Sequence, residues 1–336
     1  MMERSGKQLI DATRPFAVEE VAKTWTQTAL TFGGLGLCLV AASGALAPWM
    51  PLRIFASVMA GIFIVRGFIV YHDAMHGAVF RGRSLQARAG RVLMRVYGVL
   101  VLTPPNTWRQ THNYHHAHTA KIVGSHVGSY PVMTVQMYRN ATPVQRFMYR
   151  AVRNPITMLF GYATIFIYGM CVHPFLRNPR KNWDSALALV LHIAFAALMI
   201  RALPFVDYAL LSLVPLMVAF ALGSYLFYAQ HNFPGIVLQP RDQWEYTRAA
   251  LHSSSYLHHG KLVSWLTGNI GYHHVHHVNA AIPFYRLPAA MATIPELQHP
   301  HETSLWPRDV MACLRLALWD PDAQRMVGYE SLGPRT

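Results

Sequence analysis

The chain has 336 residues, 53% of them hydrophobic and only 13% charged, whereas a soluble globular chain carries about 25% charge. That deficit excludes an ordinary soluble domain and points to lipid. The 29 Lys and Arg outnumber 15 Asp and Glu, a formal charge of +14, but they flank apolar segments instead of forming one polar domain, which fits loops of a membrane protein and not a nucleic-acid surface.

Residues 1–25 are polar and carry Arg4, Lys7, Arg14 and Lys23. A cleavable signal peptide would reach its apolar run sooner, so this stretch reads as a retained cytosolic arm. Apolar segments follow at 28–49, 54–71, 92–103, 156–176, 186–203 and 208–229. A membrane-spanning helix needs about 20 apolar residues. The first two qualify, with a sharp turn between them at Pro48–Pro51. Segment 92–103 is too short. The last two qualify, joined by "LPFVD", and Pro215 should kink the final one. From about 230 to the end the chain is polar, with many aromatics and prolines, and reads as a cytosolic cap. No repeat, low-complexity tract or Gly/Ser linker divides the chain, so one domain over 1–336 is expected. Cys38, Cys171 and Cys313 lie far apart with no metal or disulfide spacing, and are expected to be isolated buried thiols.

Segment 156–176 has Arg150 and Arg153 before it and Arg177, Arg180 and Lys181 after it. Positive charge on both sides suits a helix that lies on, or dips into, the cytosolic face without crossing.

Three histidine clusters stand out: "HDAMH" (His72, His76), "HNYHH" (His112, His115, His116) and "HHVHH" (His273, His274, His276, His277). A helix turns about 100° per residue, so i, i+3 and i+4 form one patch of imidazoles. Helical geometry alone does not choose between HxxHH and HHxxH in the third cluster. Laid in register, "HNYHHAH" and "HHVHHVN" share histidine at the first, fourth and fifth places. His273, His276 and His277 are then the expected ligands and His274 a bystander in a supporting role or facing solvent. His118, opposite Asn279, drops out by the same test.

The three clusters must meet on one side of the membrane. If 156–176 does not cross, the last two spans return the chain to that side at His231, in "FYAQHNF", which makes His231 a candidate ninth ligand. One HxxxH arises readily by chance; three clusters with two matched triplets do not. Eight or nine imidazoles suit two borderline transition-metal ions. A paired nitrogen-rich site at a membrane surface suits iron that activates O2 and removes hydrogen from an unactivated C–H bond. Asp73 and Asn269 are candidate partners that orient imidazoles. Trp108, Trp244 and Trp265 are candidates to line a substrate tunnel or, more blandly, to anchor at the lipid interface.

These clusters, in this order around paired spans, resemble the membrane fatty acid desaturase family. The stretches "RVYGVLVLTPPNTWRQTHNYHH", "SYLFYAQHNF", "WLTGNIGYHHVHHVNAAIPFYRLP" and "LRLALWD" are similar to those of bacterial acyl-lipid desaturases, over roughly residues 50–320. The resemblance implies an all-α integral membrane protein of the bacterial inner membrane, with four transmembrane helices, interfacial helices and a cytosolic cap holding a histidine-rich diiron site. It implies O2 as co-substrate, an acyl lipid as substrate and a separate electron donor such as ferredoxin, with membrane lipids around it and no nucleic acid. Carried over, the iron ligands are His72, His76, His112, His115, His116, His231, His273, His276 and His277. By analogy with animal relatives, one iron takes His72, His76, His112, His116 and His277, and the other takes His115, His231, His273 and His276. "HDAMHG" also resembles carotenoid ketolases of the same superfamily, so a hydroxylase or ketolase is the near alternative. A non-redox metal-binding membrane protein is the distant one. The loop "TAKIVGSHVGSYPV" departs from the family pattern.

Overall fold

The computed structural model describes residues 4–124 and 127–333. Residues 1–3 of the arm, 334–336 of the cap, and Ser125 and His126 of the departing loop lie outside the described residues. Four helices are long and apolar enough to cross a membrane: Val21–Ala42, Met50–His76, Trp183–Ala202 and Phe205–Gln230. These are the four spans expected from hydropathy, but the first begins earlier, at Val21. Its opening turns hold Lys23, Thr24 and Gln27, which no hydropathy window favours. Their helix is held by tertiary contacts: Thr24 Oγ1 lies 3.0 Å from the Tyr285 hydroxyl, and Gln27 bonds to the buried Arg66.

Helix Met50–His76 has 27 residues, about 40 Å at 1.5 Å per residue, against a hydrocarbon core of about 30 Å. The excess length lets the last turns, with His72 and His76, rise out of the apolar layer. The helix stops at Gly77, whose φ of +70° is the left-handed cap that glycine adopts without a Cβ clash. Midway, Gly61 allows close approach to the last span: a Cβ there would sit 2.7 Å from the Pro215 carbonyl oxygen. The expected disturbance at Pro215 takes the form of a π-helical turn, Ala209–Leu213, immediately before it. Proline brings no N–H to close an α-turn, and the widened turn absorbs that loss.

Segment 156–176 is broken into Pro155–Leu159, a π-helix Tyr162–Val172 and His173–Arg177. Before it, Arg153 donates to Asn232 Oδ1 at 2.6 Å, next to His231. After it, Asn182 Oδ1 accepts from Thr107 at 3.3 Å, on the helix that carries His112. Between these flanks Tyr162 stacks on Phe220 of the last span, ring centroids 5.6 Å apart. The segment therefore dips into the bundle and returns to the end it left. Segment 92–103 belongs to helix Leu85–Leu100, which exposes Val92, Val96 and Leu100 beside Arg88 and Arg95, the composition of a helix lying in a membrane interface.

The cap is not purely helical. Among the described residues, Leu318–Asp320 pairs antiparallel with Arg325–Val327 and parallel with Met133–Thr134, and Tyr256–His258 pairs parallel with Glu302–Ser304. The N-terminal arm is fastened to this cap. The Arg4 guanidinium reaches Glu296 at 2.7 Å, and Gly6 N–H donates to Thr247 Oγ1 at 2.9 Å. The largest apolar core joins the arm (Leu9), the second span (Val65, Ile69) and the cap (Ile282, Phe284, Trp319).

The exposed tryptophans are not those singled out from the sequence. Trp49, Trp183 and Trp306 are exposed, the first two at span ends. Trp108 is buried against His112, ring centroids 4.3 Å apart. Half-buried Trp265 lies under the Arg66 guanidinium at 4.0 Å. Of the cysteines, Cys171 and Cys313 are buried thiols, but Cys38 is only half-buried.

Candidate metal centre

Each histidine cluster sits on a helix, so its spacing becomes a face. His72 and His76 end the second span, His112, His115 and His116 lie on Pro105–His118, and His273, His276 and His277 lie on the one-and-a-half-turn helix His273–Val278. With His231, just past the last span, they meet as two groups. The first is His72, His76, His112, His116 and His276; the second is His115, His231, His273 and His277. Within each group one donor atom per residue lies within 4.8 Å of the others. The animal-derived division is thus corrected at two places: His276 joins the first group and His277 the second. The third helix enters between the other two, and only the rotation of that short helix decides which neighbour faces which group.

The contacts between rings are nitrogen to nitrogen. In the first group His112 Nε2 lies 3.0 Å from His72 Nε2 and 3.1 Å from His116 Nε2, which is 3.1 Å from His276 Nε2. In the second, His231 Nε2 is 3.0 Å from His115 Nε2 and 2.8 Å from His273 Nε2, which is 3.1 Å from His277 Nε2. A neutral imidazole nitrogen carries either a proton or a lone pair, so such chains of converging nitrogens do not satisfy one another as hydrogen bonds. They do fit metal coordination. Two nitrogens each about 2.1 Å from one ion, at a right angle, are about 3.0 Å apart. Among the described residues, the buried His76 Nε2 has no hydrogen-bond partner, as expected of an atom shaped for a metal ion.

The tautomers point the same way. His231 Nδ1–H donates to the Ser253 carbonyl at 3.0 Å, which leaves the Nε2 lone pair facing the second group. Asp73 Oδ1 lies 3.0 Å from His72 Nδ1, and Asp73 Oδ2 accepts from Phe284 N–H at 2.6 Å. Among the described residues, the Asn269 side chain makes no hydrogen bond to an imidazole. Its Nδ2 donates to the Phe284 carbonyl at 3.1 Å, so it steadies the loop whose N–H holds Asp73. His274 does not face solvent: it is fully buried, and its Nε2–H donates to the Leu297 carbonyl at 3.0 Å. His118 stacks on Tyr114 and bonds to the Tyr114 carbonyl, outside both groups.

Sequence reasoning missed Ser253, Thr119 and Tyr246. Thr119 follows the second histidine cluster and donates to the His115 carbonyl at 2.7 Å, while its Oγ1 is 3.5 Å from His277 Nδ1. Its position four residues after His115 is the one readable signal, a helical back-bond. The Tyr246 hydroxyl donates to the His277 carbonyl at 2.6 Å; nothing in its local sequence marks it.

Burial, reinforced by neighbouring imidazoles, holds His112, His115, His116, His273, His276 and His277 well below the usual histidine range. Burial takes His231 to about 4, partly opposed by its bond to Ser253. The cage is therefore neutral at pH 7, with lone pairs free to bind metal. The sign follows: below about 6.5 the unfolded chain takes up protons that the folded one refuses, so stability falls with falling pH across the window from about 6.5 to about 4. Metal release and unfolding followed by tryptophan fluorescence should begin within that window, with no titration between pH 7 and 8.

The fatty acid desaturase family profile matches residues 21–309. The chain is 29% identical over 328 residues to a fatty acid desaturase of Bacillus subtilis (strain 168), covering 97% of this chain and 91% of that one. It is 24% identical to the sn-1 oleoyl-lipid 12-desaturase of Synechocystis sp., covering 94% and 88% of the two chains. It is 25% identical to the sn-1 acyl-lipid omega-3 desaturase (ferredoxin) of Nostoc sp., covering 87% and 82%. A profile match running from the first span through the third histidine cluster, on a fold that gathers nine imidazoles into two groups, shows that the chain belongs to the fatty acid desaturase family.

Proposed function

We propose that the protein inserts a double bond into a long acyl chain of a membrane lipid, with two irons held by His72, His76, His112, His116 and His276 and by His115, His231, His273 and His277. The two imidazole groups in a desaturase-family chain carry this reading. The balance is R–CH2–CH2–R′ + O2 + 2e− + 2H+ → R–CH=CH–R′ + 2H2O. Iron, when bound, supplies the O2-activating redox chemistry that removal of unactivated C–H hydrogens requires. The protein supplies neutral imidazoles, tautomers set at His72 by Asp73 and at His231 by the Ser253 carbonyl, and a buried surround. The named acyl-lipid relatives support a lipid-borne acyl substrate, and the Nostoc relative's name supports a ferredoxin as electron donor. The arm, the histidine groups and the cap lie at one end of the spans, and the Lys and Arg flanks support a cytosolic position for that end.

Expression in a host lacking desaturation, with mass spectrometry of its fatty acid esters, tests this. A loss of two hydrogens per product is expected; a gain of oxygen would overturn it in favour of hydroxylation or ketolation. Protein prepared with iron available should hold two irons per chain. Zinc in a heterologous preparation signals mis-metallation, because imidazole sites accept it. Asp73→Ala removes the partner of His72 and the anchor of Phe284 N–H. It should weaken iron binding or activity by about 10- to 100-fold, as measured by chelator competition.

A further inference from the structure

Trp244 belongs to no histidine cluster, yet it is connected to the second group by two short routes. Its Nε1–H donates to the Thr119 carbonyl at 2.8 Å, and Thr119 Oγ1 lies 3.5 Å from His277 Nδ1. Its ring lies 6.3 Å from that of Tyr246, whose hydroxyl donates to the His277 carbonyl at 2.6 Å. The indole is half-buried, so its other side meets the surface. There Lys121 Nζ sits 4.0 Å over the ring, with Arg241 and Arg248 exposed nearby in sequence. The arm adds exposed Lys7, beside the Gly6 bond to Thr247. The acids here are exposed Asp242 and half-buried Glu245, and Glu245 caps its own helix through Thr247 and Arg248 N–H. At Lys121 and along 241–248, three cations thus outnumber two carboxylates, one of them already engaged.

We propose that this face docks a small acidic one-electron carrier protein and that Trp244 is where its electrons enter the second histidine group. The proposal rests on the reading that the histidines hold a redox metal. Electron tunnelling decays more slowly through covalent and hydrogen bonds than across gaps, and this path has one bonded step from indole to Thr119 before His277. Aromatic residues ringed by cations are also a common composition at the centre of interfaces that meet acidic partners. Each transfer oxidises the carrier by one electron and reduces the histidine-held metal by one. Two transfers supply the two electrons of one double bond.

The test uses the full-length protein in nanodiscs with a plant-type [2Fe–2S] ferredoxin as probe. Lys121→Glu/Arg248→Glu should weaken ferredoxin binding at least tenfold at low salt in calorimetry and flatten its salt dependence. Trp244→Phe should keep that affinity but slow the anaerobic oxidation of reduced ferredoxin at least tenfold at saturation. Iron content and reduction by dithionite, which needs no docking, should be unchanged in both variants. Unchanged affinity on charge reversal, or unchanged ferredoxin oxidation in Trp244→Phe, overturns the proposal. So does an equal slowing with dithionite, which marks a disturbed cage. Wild-type protein that binds no iron overturns the functional reading instead, and the affinity measurement, which needs no metal, still decides the docking face.

Discussion

His276→Ala is expected to abolish desaturation and to lower bound iron to half or less of the wild-type content, with the remaining metal in the second group. His276 Nε2 lies 3.1 Å from His116 Nε2, and its ring is 4.5 Å from that of His72, so its loss opens the first group. His274→Ala, one helical face away, is the counterpart. It should retain iron and stay within a few-fold of wild-type activity, because the imidazole points to the Leu297 carbonyl and belongs to neither group. It should still unfold more easily, by about 2–4 kcal/mol, since a buried ring and its hydrogen bond are both removed. Iron analysis with thermal unfolding separates the two variants. If His274→Ala lost iron as completely as His276→Ala, the register assignment of the third cluster would be wrong.

His231→Ala should be nearly as damaging. It takes the second group from four imidazoles to three and removes the nitrogen that both His115 and His273 face at 3.0 and 2.8 Å. Desaturation should fall by about 100-fold or more, read from product formed by equal amounts of membrane-inserted protein. His118→Ala should change neither iron nor activity, because its ring is engaged with Tyr114. Equal effects from the two would remove His231 from the ligand set.

Much of this architecture is legible in residue order because two periodicities carry it. Runs of about 20 apolar residues mark spans irrespective of tertiary partners. The i, i+3, i+4 spacing makes a shared face wherever a helix forms. Matching the second and third clusters also isolates His274 and His118, and counting crossings brings His231 to the same end as the three clusters. The start of the first span escaped hydropathy because Thr24 and Gln27 are held by Tyr285 and Arg66, which are distant in sequence. The packing of Trp108 on His112 and of Trp265 under Arg66 was not legible because composition does not distinguish an exposed indole from a packed one. The short strands, three residues each in the cap and two at Met133–Thr134, fall below any readable alternation.

The division of the imidazoles between the two groups lies beyond residue order for a stricter reason. His276 and His277 are adjacent and both lie within the arc that a helix presents inward, so spacing marks both as ligands and ranks neither. Their partners are decided by how helix His273–Val278 is rotated between the second span and Pro105–His118. That rotation is held by Tyr246 at the His277 carbonyl and by Leu297 at His274. Local spacing thus determined which imidazoles turn inward, and long-range packing decided which group each one completes.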